Sequence, residues 1–193
     1  MPAAVHPHLQ PGRVYRTRDL AVWGANPTRL AKRLLHGGKL RQLAQGLYYA
    51  PAASRFGPVP PDDAAILRAF IGDDSFVVTG PPRWNSLGLG TTAMFSSALV
   101  YNGKRSGEFR LGSRLFQLRR VRFPSEPSAE WFVIDLLEHH DAAGAALSEL
   151  EGALTQALRD GRFDRRRLAE MAAEFGTRAT LALVRRATEA SSS

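Results

Sequence analysis

Residues 26–51 read NPTRLAKRLLHGGKLRQLAQGLYYAP, and this stretch decides how the first third of the chain folds. Asn26 is a strong helix N-cap and Pro27 suits the first helical position. Gly37-Gly38 closes the helix. Up to Leu40 the stretch carries Arg29, Lys32, Arg33, Lys39 and His36, and no acid. At about 100° per residue, Arg29, Lys32, Arg33 and His36 share one arc of roughly 100°. Leu30, Ala31, Leu34 and Leu35 lie opposite. One face suits a core and the other an anion.

Working outward, KLRQL (39–43) and GLYYAP (46–51) are short strand-like runs joined at Ala44-Gln45-Gly46. Leu40, Leu43, Leu47 and Tyr49 are candidates for the core; Arg41, Gln42 and Gln45 are expected to project outward. Upstream, RVYRTRDLAVWG (13–24) offers a short strand at Val14-Tyr15. Thr17 is the expected cap of a one- or two-turn helix carrying Leu20 and Trp23. The order is short strand, helix, turn, cationic helix, hairpin, which is that of a winged helix-turn-helix shortened at its front.

In such a module the second helix lies in the major groove, with its N-terminal residues nearest the base edges. Arginine can bond guanine in pairs, while lysine and the amides of the helix start hold phosphates. The candidate DNA contacts are therefore Thr28, Arg29, Lys32, Arg33 and His36 on the helix, with Lys39, Arg41, Gln42 and Gln45 on the hairpin. A cationic stripe is also what a solvated helix face looks like, and the same fold serves protein contact.

The charge distribution bears on that choice. Residues 1–50 hold eight basic side chains against Asp19 alone, a balance of +7; the other 18 basic and 17 acidic groups balance to +1. A composition bias would spread the excess, whereas a localised basic field is the footprint of a polyanion-binding module. The chain has 193 residues and no cysteine, which excludes disulfides, zinc ribbons and thiol catalysis and fits a cytoplasmic protein. No apolar run reaches the length of a membrane span, and MPAAVHPHLQPG lacks the pattern of a secretory leader.

The proline-rich stretch 53–61 predicts a linker between a basic domain, 1–52, and a nearly neutral one, 62–190. The second domain is expected to open with a helix from Asp62 to Phe70. A buried strand follows at 75–80, then a turn with a short helix at 80–90. Two or three antiparallel strands are expected over 97–123, with Asn102-Gly103 as a hairpin turn. From Ser128 the apolar spacing turns helical, with Asp164 and Thr177 as later caps and the terminal SSS disordered. The fold class is thus α+β: an N-terminal winged helix-turn-helix, then a mixed α+β domain ending in a helical bundle.

The stretch 26–51 resembles the N-terminal winged helix of the AbiEi-type antitoxins of bacterial abortive-infection and type IV toxin–antitoxin systems. Arg33-Leu34, Gly38, Leu40, Gly46 and Tyr48 fill the family frame, although Gln42 stands where a basic residue is more common. VVTGPPRWNSLGL and the order of later elements match more loosely. The resemblance implies an antitoxin that represses its own operon by binding double-stranded promoter DNA. It also implies that the antitoxin counteracts a nucleotidyltransferase-like toxin, with which a stable complex is not assured. It names no toxin-neutralising residue.

The residues offer little chemistry. GPPRWNSLGLG lacks a dinucleotide fingerprint and a P-loop lysine. Glu108-Phe109-Arg110 is the nearest approach to a nuclease Glu-x-Lys, and arginine substitutes poorly for that lysine. His6 and His8 fall in the N-terminal segment, and His139-His140 are neighbours that point apart on a helix; surface roles are expected for all four. The basic run RDGRFDRRR (159–167) reads as a solvated helix start or a second contact patch. The expectation is a non-enzymatic protein with no catalytic residue, no metal site and no cofactor. The rivals are a stand-alone regulator whose second domain senses a ligand or dimerises, and a winged-helix-targeted nuclease.

Overall fold

The computed structural model describes residues 7–55 and 57–192. The chain forms two compact units, residues 1–74 with 108–116 and residues 75–107 with 117–193. It is a mixed α+β protein with a helical C-terminal region. Among the described residues no helix is long and apolar enough to cross a membrane.

The first unit begins with β1 (Val14–Arg16) and a 3₁₀ helix, Thr17–Trp23. Thr17 does not cap that helix. The carboxylate of Asp19 accepts from the Arg16 amide at 2.7 Å, and the Thr17 amide donates to the Gly46 carbonyl at 3.0 Å instead. Next come α1 (Pro27–His36), β2 (Arg41–Ala44) and β3 (Leu47–Tyr49). The three strands make an antiparallel sheet in the order β1-β3-β2. Tyr48 pairs with Tyr15 and Gln42, and Tyr49 pairs with Val14 and Arg41.

The sheet buries both faces of β3, so Leu47, Tyr48 and Tyr49 are all inside. Tyr15 and Tyr48 pack with Leu20, Leu30, Ala31, Leu34 and Leu40 from the helical side. Leu43 and Tyr49 line a cavity on the other face with Ile66 and Leu111. The register slips between Gln42 and Ala44. A bulge there turns the Leu43 carbonyl out of the ladder, and it accepts from the Gly112 amide at 2.7 Å.

The predicted linker is not a free connection. Ala52–Ser54 (β4) and Gly57–Val59 (β5) pair antiparallel, with Ala53 opposite Pro58. A two-stranded ribbon leaves outward amide positions unpaired, so proline is tolerated there. The first unit runs on through α2 (Asp63–Leu67) and a π turn, Arg68–Gly72, before ending at Asp74. Asp62 caps α2, accepting from the Ala65 amide at 2.7 Å. Phe70 meets Phe109 edge-on at 4.9 Å.

The remaining strands are β6 (Phe76–Thr79), β7 (Ala98–Asn102), β8 (Gly107–Leu111) and β9 (Arg114–Arg120), in the sheet order β6-β7-β9-β8. β7 is therefore not the hairpin partner of β8, and Asn102-Gly103 is not a two-residue turn. Asn102 uses its side chain: Oδ1 accepts from the Lys104 and Arg105 amides at 2.9 and 2.8 Å. The tight turn lies at Gly112-Ser113, where Gly112 has φ +65°. A side chain there would also meet Leu43 Cδ2, 3.1 Å from where its Cβ would sit.

α3 (Pro81–Ser86) follows β6, and four helices end the chain: α4 (Ala129–Glu138), α5 (Leu147–Arg159), α6 (Arg165–Phe175) and α7 (Arg178–Ser191). α4 packs on α6, α5 on α7, and α6 on α7. Trp131, Ile134, Leu150, Leu154, Leu168 and Val184 fill their shared core. Asp164 and Thr177 cap α6 and α7 as the sequence predicts. Ser191, expected in a disordered tail, is the last residue of α7 and is buried.

Candidate nucleic-acid interface

The stripe on α1 is fixed at both ends of the helix. The Asn26 side chain accepts from the Arg29 amide at 2.9 Å, which sets the first turn. At the other end the Lys39 and Leu40 amides both donate to the Leu34 carbonyl, at 2.9 and 3.1 Å. This closure needs the left-handed backbone of Gly38, at φ +67°. Leu30, Ala31 and Leu34 are buried, while Thr28, Arg29, Lys32, Arg33 and His36 are exposed. The amphipathic reading of the sequence is the observed one, residue for residue.

The hairpin candidates divide. Lys39, Arg41, Gln42 and Gln45 are all exposed. Cross-strand partners share a sheet face. Gln42, opposite Tyr48, is therefore on the face that carries α1. Arg41, opposite Tyr49, is on the other face, beside a cavity of about 340 Å³ that Gln42, Asp63 and Arg114 also line. By register, then, Gln42 is on the α1 side of the sheet and Arg41 on the other, though both reach the rim of that cavity. The turn at Gln45-Gly46 is held against the start of the 3₁₀ helix by the Thr17–Gly46 bond.

The electrostatics of this surface are simple. Among the described residues Arg29, Lys32, Arg33, Lys39 and Arg41 form no ion pair. Asp19, the one acid of the first fifty residues, lies 3.9 Å from Arg18 and accepts from the Arg16 amide. The stripe's charge is therefore left for a ligand or solvent.

The basic run at 159–167 behaves otherwise. Arg162 donates to the Leu87 and Gly88 carbonyls at 2.6 and 3.4 Å, and Arg159 to the Ala190 carbonyl at 2.7 Å. Arg165 bonds the Ser191 hydroxyl and carbonyl at 3.1 and 3.2 Å. Arg166 pairs with Glu170 and Arg167 with Glu130. All five arginines are exposed, yet each has an acceptor within the second unit.

The remaining candidates are the nuclease-like triplet and the histidines. Glu108-Phe109-Arg110 lies on β8, and among the described residues no group of three or more histidine, cysteine, aspartate or glutamate side chains is placed to hold a metal. His139 is not a surface residue. Its Nδ1 lies 2.8 Å from the Asp135 carbonyl and 3.4 Å from the Asp135 carboxylate, and its ring stacks on Trp84. His140 is half-buried, with Nδ1 3.3 Å from the Ala145 carbonyl. His8 is exposed, as expected; His6 lies outside the described residues. The i, i+4 spacing of Asp135 and His139 on a helix was the signal available in the sequence.

No family model matches the chain, and no curated protein matches it. Among solved structures it is similar to the crystal structure of the Rv2827c protein from Mycobacterium tuberculosis, with 12% sequence identity and a TM-score of 0.58 over 98% of this chain and 80% of that one. At this identity the likeness is one of fold.

Proposed function

We propose that the first unit is a winged-helix DNA-binding module and that the chain is the antitoxin of a type IV, AbiE-like toxin–antitoxin system. The 3₁₀ helix is the first helix of the motif, α1 the recognition helix, and β2–β3 the wing. One observation carries the DNA-binding half: an exposed cationic face on α1 with no acidic partner, backed by an apolar face in which Leu30, Ala31 and Leu34 are buried. Arg29 and Arg33 read base edges in the major groove. Lys32, Lys39 and the amides of the first turn hold phosphates. Thr28, His36, Gln42 and Gln45 complete the footprint, and Arg41 flanks it from the other sheet face.

The antitoxin half rests on the resemblance of residues 26–51 to that family. The second unit then counteracts a nucleotidyltransferase-like toxin. The test has two arms. Fluorescence anisotropy of the intact protein on a duplex from upstream of its own gene should show binding that weakens steeply with salt, because phosphate contacts release counterions. A flat salt response overturns the DNA reading. Co-expression of the intact chain with the adjacent reading frame should restore growth. Promoter binding without growth rescue moves the protein to the stand-alone regulators.

A further inference from the structure

The second unit contains a polar constellation inside its core. Asp135 of α4 is buried, with its carboxylate only 3% exposed. Trp84 Nε1 donates to it at 2.8 Å and the Tyr101 hydroxyl at 2.7 Å, and the Thr79 hydroxyl is a third donor. Burial pushes the Asp135 carboxyl up, and the bonds from His139, Thr79, Tyr101 and Trp84 more than offset it, so the group is held below the usual carboxylate range. Burial, reinforced by Asp135, raises Tyr101 well above the usual phenol range. Asp135 is thus an anion with its acceptors occupied.

His139 turns its two ring nitrogens to different partners. Nδ1 faces the Asp135 carbonyl and carboxylate. The hydrogen bond to Asp135 raises His139 above its usual value, against the effect of burial and of Arg119. Nε2 lies 3.3 Å from the Tyr101 hydroxyl and 3.4 Å from Nη1 of Arg119. Nε2 and the Arg119 guanidinium thus face the same space, where an anion can accept from both once the imidazole is protonated. Arg119 has no carboxylate partner among the described residues.

This pair opens on a cavity of about 210 Å³. At roughly 30 Å³ per liquid water, that is room for a single-ring ligand. Trp131, Ile134, Phe175 and Val121 form its apolar wall. Its acids, Asp135 and Glu138, are occupied: Glu138 accepts from the Thr177 amide at 2.6 Å, and Arg122, which also lines the cavity, pairs with Glu174 at 2.9 Å. Val121 is 41% exposed, so the wall reaches the surface.

From this geometry we infer that the cavity binds a small organic anion, a carboxylate on a single-ring or branched apolar body. The carboxylate bridges Arg119 and Nε2 of His139, and the apolar body lies against Trp131 and Phe175. Charge-assisted bonds from a guanidinium and an imidazolium are the strong ones, and the wall removes apolar ligand surface from water. Asp135 and Tyr101 take no part in contact; they orient the imidazole. The site belongs to the second unit, and its test does not depend on which partner the cationic face of α1 holds.

The test uses the full-length protein and benzoate as probe. Benzamide controls for the apolar body without the charge, and inorganic phosphate for the charge without the body. NMR of the His139 imidazole and isothermal titration should show saturable binding of one benzoate, weakened about tenfold or more in Arg119→Gln through the loss of a charged hydrogen bond. Arg119 is exposed, and unchanged melting will show that the variant is folded. Val121→Glu, at the open edge, should also weaken binding. Benzoate affinity should fall as pH rises through the His139 titration, and His139→Gln should flatten that dependence. The groups facing this imidazole are Asp135 and Glu138 of α4, Tyr101 of β7, and Arg119 and Arg122. No saturable response at millimolar benzoate overturns the inference. So does benzamide or phosphate binding as tightly as benzoate, or undiminished binding by Arg119→Gln.

Discussion

The stripe on α1 and the run at 159–167 have similar compositions and opposite fates. Arg29, Lys32 and Arg33 stand on the exposed side of a helix whose other side is buried, and among the described residues they form no ion pair. Arg159, Arg162 and Arg165 are turned back onto carbonyls at the ends of other segments, and Arg166 and Arg167 onto glutamates. A guanidinium has five donors and a long stem. It can therefore serve as a local structural tie or as a site for a foreign anion. What separates the two is the supply of acceptors around it, not the density of charge in the sequence.

That contrast can be broken by substitution. The largest effect is expected from Leu34→Ala, which empties the buried side of α1 and should cost about 2–5 kcal/mol of first-unit stability, read by chemical denaturation. An undiminished stability would mean that the stripe's backing is not the anchor described here. Next, Arg29→Ala and Arg33→Ala should each weaken promoter binding by about 1–3 kcal/mol if they read bases, with little change in melting. Unchanged affinity for both would remove α1 from the DNA contact. Arg162→Ala should do the reverse: about 1 kcal/mol of second-unit stability lost with its hydrogen bonds to Leu87 and Gly88, and promoter affinity kept. A fall in affinity without a fall in stability would put this run back among the contact surfaces.

The smallest expected effect is one of pH. Its hydrogen bond to Asp135 raises His139 in the folded state. The stabilisation is fully present below the unfolded value of about 6.5 and is lost as pH rises through the folded one. Denaturation of the second unit, followed by tryptophan fluorescence, should show a slightly lower midpoint at mildly alkaline pH. His139→Gln should lack this trend; a variant with the same trend would assign it to another group.

Much of α1 was legible because its determinants are local. Asn26, the leucine spacing and Gly38 act within a few residues of each other, as do the caps at Asp62, Asp164 and Thr177. The face of Arg41 was not legible, because it depends on a strand register with a slip in it. Nor was the fate of Arg162, whose carbonyl partners lie 75 and 74 positions away. Asp135 and His139 could be paired from their spacing. Their environment could not, since Thr79, Trp84 and Tyr101 come from 56, 51 and 34 positions earlier. Asn102-Gly103 misled because β7 lies between β6 and β9 and does not pair with the strand that follows it.

The turn at Gly112-Ser113 has a bearing on how the polypeptide matures. The first unit takes in residues 108–116, whose turn amide supplies a bond to the Leu43 carbonyl. During translation the N-terminal segment leaves the ribosome long before that strap does. The module can present α1 early, yet it stays unfinished along the edge of β2 until the ribosome has released Phe116. Truncations ending near residue 60 would reproduce this nascent intermediate rather than the mature module.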